Sequence, residues 1–390
     1  MKLRKEHYII LIIQITETLG FSLILPFLPF FAEDLGASPL VVGLILTSFS
    51  LLQFVFAPIM GRLSDHYGRR PLLIFSQIST FLSFIILGLA KSIPIIFLSR
   101  VVDGLLGSNF TIAQAYLSDI SSKKERSQAF GLSGIAFGIG FLIGPAIGGF
   151  LSRFGYHLPS FIAAGISLFS IIITYIFLPE TVKRTKASKK VKIIDLKVFK
   201  KFFFLPKINL KLLQLFTYLL AHIVWTSTFA LYARKQFAIK PEQVGYLLGY
   251  VGLLIIVLRG GLLGKLIKIF GENKLKTIGM VLITLGLAGA IFTPNYKSLF
   301  VVMTFFAIGS GLSRPLLIGA ISREVSDKDQ GAILGVTNSL GSLAQIFGPL
   351  IGGIILDRFF SGYLGLISAL IMSFGLLLSL IEIKRTRSKK

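Results

Sequence analysis

Hydrophobic residues in this chain come in long unbroken runs rather than in alternating or short-period stripes. Apolar stretches of roughly 20 residues recur about a dozen times, and each is long enough to cross a bilayer as a helix. They fall at 8–31, 40–60, 72–90, 94–118, 127–151, 159–178, 209–233, 243–264, 275–293, 297–320, 330–356 and 361–381. Short turns separate them, with one longer interval rich in Lys and Arg at 179–208. The pattern predicts an all-α integral membrane protein with twelve transmembrane helices. Its organisation reads as a six-helix half over 1–178, a basic cytoplasmic linker over 179–208 and a second six-helix half over 209–390. Within the linker, the stretch from Val191 to Phe202 is amphipathic and predicts a helix lying on the inner leaflet.

The halves repeat each other. A shift of 204 carries Gly131 to Gly335, Gly144-Pro145 to Gly348-Pro349, Gly148-Gly149 to Gly352-Gly353 and Gly107 to Gly311. A shift of 203 carries Gly61 and Gly68 to Gly264 and Gly271. Two pseudo-symmetric halves related as parallel repeats follow. The repeat fails where charge matters, since Lys268 stands at the place of Asp65 and Arg323 at that of Asp119.

Composition agrees with the pattern. The chain is 54% hydrophobic and 15% charged, outside the range of an ordinary soluble domain. A net charge of +24 would suit a nucleic-acid partner, but its distribution argues for a membrane instead. With the N-terminus inside, 31 Lys/Arg lie on the inner loops and ends and seven on the outer loops. That asymmetry predicts a multi-pass protein of the cell's inner (plasma) membrane with both termini cytoplasmic. The chain has no cysteine, which excludes disulfides and thiolate metal sites. No phosphate-binding glycine loop and no nucleophile–base pair or metal cluster is visible, so neither an enzyme, a metal nor a cofactor is expected. The first span is too long for a signal-peptide core and is expected to be retained. Asn109-Phe-Thr111 matches a glycosylation acceptor but falls inside a span, where the match is chance.

Polar residues inside spans carry the chemistry. Glu17 lies about 14 Å into the first span at 1.5 Å per residue, with Gln14 one turn away on the same face. A carboxylate at that depth must face a cavity, find a partner or take a proton. Arg100 and Asp103, three apart in the fourth span, share a face. They form either a structural pair or part of a proton-carrying group. The turn around Gly61-Arg-Leu-Ser-Asp65-His-Tyr-Gly68-Arg69-Arg70-Pro71 joins spans 2 and 3, with glycines suited to a tight turn. Its lone acid, Asp65, is expected to pair with an arginine or to face a helix N-terminus. Gly140, Gly144 and Gly148 make a flat face in the fifth span for close helix packing, and Pro145 a kink. In the second half, His222 and Trp225 either line a cavity or pack. Arg259, one turn inside its span, can snorkel to the headgroups, whereas Arg314 sits deeper.

The turn resembles the signature of the major facilitator superfamily, Gly-x-Leu-x-Asp-x-x-Gly-Arg-Arg/Lys. Gly61, Leu63, Asp65, Gly68, Arg69 and Arg70 fill every fixed place. Leu98-Ser-Arg100-Val-Val-Asp103-Gly104 is similar to a second motif of that family, with Asp103 where glutamine is usual. Glu17 followed by Gly20, Leu23, Pro26 and Pro29 looks like the first span of the twelve-span drug–proton antiporters, including the tetracycline exporters. The resemblance implies secondary export of lipophilic, drug-like compounds by alternating access, in exchange for protons. Glu17, Asp103 and Arg100 would then handle the proton. A substrate cavity would be lined by Gln14, Glu17, Phe21, Asp103, Gln114, His222, Trp225 and Arg314. It also implies a cytoplasmic gate of Gly61, Asp65, Gly68, Arg69, Arg70 and Asp119. Gly140, Gly144, Pro145, Gly148 and Gly149, with Gly348 and Pro349, answer to its antiporter motif. The implied partners are a small-molecule substrate, protons and the bilayer, with a monomer as the working unit. Two other readings stay open: a proton symporter importing a sugar, metabolite or organic anion, and a non-transporting receptor or chaperone on the same fold.

Overall fold

The computed structural model describes residues 4–122, 125–182, 202, 205, 208–326 and 329–387. Among these residues twelve helices are long and apolar enough to cross a membrane, and none forms a strand. Spans 1 to 6 are Lys5–Asp34, Pro39–Tyr67, Arg69–Gly88, Ile93–Ile120, Gln128–Phe154 and His157–Phe177. Spans 7 to 12 are Asn209–Phe237, Pro241–Phe270, Glu272–Phe292, Tyr296–Ser322, Gln330–Arg358 and Tyr363–Glu382. The expected amphipathic helix of the basic linker lies outside the described residues, apart from Phe202.

Two helices outrun the apolar pattern. Span 2 continues to Tyr67 and span 8 to Phe270, several residues past where hydropathy ends them. A helix can carry charged residues past the apolar layer, because long side chains reach polar surroundings from its end. As a result Gly61 is not a turn residue: it sits inside the span 2 helix, and the turn contracts to Gly68 alone.

The chain packs into two compact units. One holds spans 1–6 without residues 38–47 and takes in residues 240–249; the other holds spans 7–12 without 240–249 and takes in 38–47. Both use the same helix pairings. In the first, span 1 packs on spans 5 and 6, and span 3 on spans 4 and 6. In the second, span 7 packs on spans 11 and 12, and span 9 on spans 10 and 12.

The glycine faces make these contacts close. A Cβ on Gly140 would lie 2.8 Å from Thr18 Cβ, and one on Gly148 would strike the Leu23 carbonyl oxygen. Span 11 repeats the arrangement against span 7, with Gly348 on Ile223 and Gly352 on Thr228. Gly149 lies against Gly245 within the first unit. Pro145 and Pro349 are both accommodated inside continuous helices.

Three spans depart from regular helix away from their ends. Span 1 breaks after Leu23 and resumes at Leu28. Span 4 breaks at Gly107-Ser108, so that it consists of Ile93–Leu106 and Asn109–Ile120. Span 8 carries a wide π turn over Leu258–Leu262. The span 4 break and the span 8 π turn both lie beside polar side chains described next.

Candidate functional site

The break in span 4 organises the polar interior of the first unit. Its Gly107 N–H donates to the Asp103 carbonyl at 2.7 Å, and its Ser108 N–H donates to Ser76 Oγ at 2.6 Å. A Cβ on Gly107 would press on the Asp103 carboxylate and lie 3.0 Å from Thr80 Oγ1. Only a residue without a side chain lets the backbone approach this closely. Asn109 then opens the second half of the span and turns its amide towards span 1. Its Nδ2 donates to Glu17 Oε2 at 2.5 Å and to Thr80 Oγ1 at 2.9 Å. Thr80 in turn donates to Asp103 Oδ1 at 2.8 Å. Glu17 and Asp103 are thus joined through two neutral side chains.

Arg100 completes this group. Its nearest contact with Asp103 is 3.8 Å, while closer bonds run to Ser99 Oγ at 3.1 Å and Ser83 Oγ at 3.0 Å. Arg100, Asp103, Thr80 and Asn109 are buried, and Glu17 is half-buried. Gln77 and Ser170, bonded to each other at 2.9 Å, stand beside the Glu17 carboxyl. Glu17 Oε1, Asn109 Oδ1, Gln77 Oε1 and both amide atoms of Gln14 have no hydrogen-bond partner among the described residues. Phe21 stacks on Phe49 at 5.8 Å between ring centres, and the Arg100 guanidinium sits 6.0 Å from the same Phe49 ring. Gln114 lies apart, donating to Ser133 Oγ at 2.6 Å.

A second cluster gathers at Gly68, whose φ of 109° is in the region that glycine occupies without strain. Arg69 bonds Asp119 at 2.9 Å and pairs with Asp65 across the Gly68 turn. It also donates to Ser64 Oγ at 2.7 Å and to the Gly61 carbonyl at 3.2 Å. Arg70 turns away to the Tyr175 carbonyl at 2.5 Å. Of the two ways for Asp65 to be satisfied, the arginine pair is the one realised. The helix N-terminus goes to Glu180 instead, which accepts the Arg69 and Arg70 backbone N–H groups at 2.9 and 3.1 Å.

The second unit is built differently. Trp225 is fully buried and packs on Phe229 and Tyr232 at 5.3 and 5.1 Å. His222 lies between two rings, Tyr218 at 5.6 Å and Phe306 at 5.0 Å, and its Nδ1 meets Ser310 Oγ at 3.4 Å. Arg259 corrects the sequence reading. Span 8 runs on to Phe270, which leaves this residue about 16 Å from the helix end at 1.5 Å per residue. Rather than snorkel, it donates Nε to the Gly311 carbonyl at 3.2 Å and Nη2 to the Ser310 carbonyl at 3.4 Å. Arg314, on span 10, is exposed. In a separate cluster Lys276 is buried, donating to Glu382 Oε2 at 2.6 Å and Gln214 Oε1 at 3.1 Å. Lys211 adds a pair with Glu324, and Arg323 one with Glu272.

The structure therefore gathers Gln14, Glu17, Arg100 and Asp103 in one unit, and His222 with Arg314 in the other. Sequence reading passed over Thr80, Gln77, Ser170, Glu180, Tyr218 and Ser310, and gave Asn109 no role. The signal for Asn109 was present: an amide following Gly-Ser inside an apolar span has to be satisfied by something.

Comparison with known proteins follows the same lines. A family model described as Major Facilitator Superfamily matches residues 10–349 and 215–390. The tetracycline resistance protein of class H from Pasteurella multocida is 28% identical over 406 residues, covering 99% of this chain and 98% of that protein. Multidrug resistance protein 2 from Bacillus subtilis (strain 168) is 28% identical over 367 residues, covering 91% and 90%. Among solved structures, the human organic anion transporter MFSD10 (TETRAN) superposes with a TM-score of 0.72 at 21% identity, covering 96% of this chain and 99% of that one. A peptide transporter POT in complex with sulfate gives a TM-score of 0.75 at 14% identity, covering 98% and 94%. With twelve spans in two like units, a signature turn closed on its own ion pairs, and a family match that runs through both halves, the chain is a multi-pass membrane transporter and belongs to the Major Facilitator Superfamily.

Proposed function

We propose that this protein is a proton-coupled exporter of lipophilic, drug-like compounds that works by alternating access. The observation that carries the reading is Glu17. It is a carboxyl well inside a membrane span, bonded by the Asn109 amide, and no lysine or arginine pairs with it among the described residues. A buried carboxyl without a fixed cation is neutralised most simply by a proton or by a bound solute. Competition of the two for one acid gives exchange without any other energy source.

In this reading Glu17 carries the proton. Asp103 assists through Thr80 and Asn109, and Arg100 holds Asp103. Gln14, Phe21, Gln114, His222, Trp225 and Arg314 contact substrate. Asp65, Arg69, Arg70 and Asp119 close the cytoplasmic side in one phase of the cycle, with Gly61 and Gly68 giving their helices room. Gly140, Gly144, Pro145, Gly148 and Gly149, with Gly348 and Pro349, hold the helix contacts on which the exchange cycle turns. The protein acts as a monomer in the plasma membrane with both termini cytoplasmic. Support for export comes from its full-length relatives, which are named as tetracycline and multidrug resistance proteins.

The test is proton movement in inside-out vesicles carrying the protein, with lipophilic compounds and tetracyclines added in turn. Compound-triggered proton release from the lumen is expected, and Glu17→Gln should abolish it while leaving the Asn109 bond an oxygen to accept. Full coupled export by Glu17→Gln would overturn the assignment.

A further inference from the structure

Spans 1, 6, 3 and 4 of the first unit close a ring, each packed on the next. Bonds across it join Glu17 to Asn109, Asn109 to Thr80, and Gln77 to Ser170. Gln77 lies one helical turn before Thr80 on span 3 and shares its face. Spans 1, 3 and 6 meet closely one turn after Glu17, where a Cβ on Gly20 would lie 3.3 Å from the Phe84 ring and 3.8 Å from the Ala163 carbonyl oxygen. Gln77 and Ser170 are fully buried, and both reach the Glu17 carboxyl. The charged groups of this interior are Glu17, Asp103 and Arg100; between their end turns, spans 3, 5 and 6 carry no acid, lysine, arginine or histidine.

The two amides beside Glu17 differ in freedom. Asn109 is fixed, because Nδ2 gives one hydrogen to Glu17 Oε2 and the other to Thr80 Oγ1, whose own hydrogen goes to Asp103. Gln77 is held at one end only. Its Nε2 donates to Ser170 Oγ at 2.9 Å, while its Oε1 has no partner among the described residues, and neither has Glu17 Oε1. A hydroxyl both donates and accepts, so Ser170 can bond either end of the amide. An ionised carboxylate only accepts, whereas a protonated one also donates. With its oxygen towards Glu17 the Gln77 amide suits the protonated acid, and with its N–H groups there it suits the ionised one.

We propose that Gln77 and Ser170 form an amide switch that follows the proton on Glu17. The Gln77 oxygen accepts from the protonated carboxyl while Nε2 donates to Ser170; once the proton has left, the amide turns over, Nε2 donates to the carboxylate and Oε1 accepts from Ser170. Only the Glu17 proton comes and goes, since Gln77 and Ser170 keep their own hydrogens and change only where they point. Glu17 thus has a partner in both charge states, as a buried polar group requires. The switch rests on the reading of Glu17 as the coupling acid and makes Gln77 a positioning residue for its proton.

The experiment is infrared difference spectroscopy, high against low pH, on the purified full-length protein carrying isotope-labelled glutamine. Acidification should raise a carboxylic-acid band that Glu17→Gln removes, and with it a shift in a glutamine amide band. That amide shift should be lost in Gln77→Met, which keeps the length of the side chain without its amide, and in Glu17→Gln, where no proton arrives. Ser170→Ala should keep the carboxylic-acid band and shrink the amide shift. Ser167→Ala, whose hydroxyl donates to the Gln77 backbone carbonyl at 3.3 Å, should leave both in place. In vesicles Gln77→Met should slow proton-coupled export about tenfold, the worth of one hydrogen bond to a charged group, with substrate affinity unchanged. An amide shift that survives in Gln77→Met or Glu17→Gln, or is undiminished in Ser170→Ala, overturns the switch. So does a Glu17 band with no amide shift beside it, or the absence of any band that Glu17→Gln removes. The two readings fail separately. Export lost in Glu17→Gln with no amide shift sinks only the switch. An amide shift with coupled export intact in Glu17→Gln sinks only the coupling role.

Discussion

The two units share a fold and differ in what they do with charge. Each packs its first helix on its fifth and sixth, and each does so through the same glycine face, repeated at a shift of 204. Inside the first unit, two acids are tied together by Thr80 and Asn109, with Arg100 3.8 Å from one of them. In the second, Arg259 bonds backbone carbonyls and His222 meets a serine, while the acid Glu382 is held by Lys276 in a separate cluster. Duplicated halves keep what packing demands, because a side chain on a contact glycine has nowhere to go. Polar positions are not bound in that way, and here they have diverged: Glu17 and Asp103 share one network in the first unit, and Lys276 and Glu382 form another in the second.

The largest effect should come from breaking the balance in the first unit. Asp103→Asn leaves Arg100 buried without its counter-charge, and loss of one member of a buried pair costs about 3–5 kcal/mol. Arg314→Gln in the second unit removes a charge that has no partner, and should stay within about 0.5 kcal/mol. Thermal unfolding of both variants in detergent checks the contrast, which collapses if the two shift alike.

Next come the glycine faces. Gly148→Ala drives a methyl group into the Leu23 backbone carbonyl and should cost roughly 1–3 kcal/mol. Gly352→Ala meets the Thr228 side chain, which can turn aside, and should cost less. Gly134→Ala points into open space and should be neutral or better, since alanine favours the helix by up to about 1 kcal/mol. The order Gly148, Gly352, Gly134 in folded yield and melting temperature is the outcome to look for.

Glu180→Ala removes the acceptor at the start of span 3 and should cost about 1 kcal/mol, as loss of a helix cap does. Span 9 begins instead with its own acid, Glu272, paired with Arg323. Its loss should therefore disturb that ion pair as well, a difference that salt titration of the two variants reveals.

The smallest effect concerns a turn that both halves retain. Ser122 bonds the Glu125 carboxylate at 2.6 Å, and 204 residues later Ser326 bonds Asp329 at 3.3 Å. The Ser122 hydroxyl holds the Glu125 carboxyl below its ordinary range. Its favourable share is therefore present above the unfolded-state titration and is lost as pH falls through the folded one. Ser122→Ala should move the Glu125 titration upward, as carboxyl carbon NMR would record; no movement would rule out the hydroxyl as the cause.

The spans, their number, the halves and the family resemblance were legible along the chain. Hydropathy runs, loop charge and a glycine register are one-dimensional signals, and the bilayer and close packing act on them directly. Glu17, Arg100 and Asp103 stood out for the same reason, being polar where the surroundings are apolar. Partners were not legible. Asn109 reaches Glu17, and Glu180 rather than Asp65 takes the helix N-terminus, because helices turn and break in ways that hydropathy does not record. The break at Gly107-Ser108 and the continuation of span 8 to Phe270 decided which polar groups meet and how deep Arg259 lies. Sequence determined which residues had to be satisfied within the membrane; tertiary structure decided by what, since a hydrogen bond depends on about an ångström of position that only packing sets.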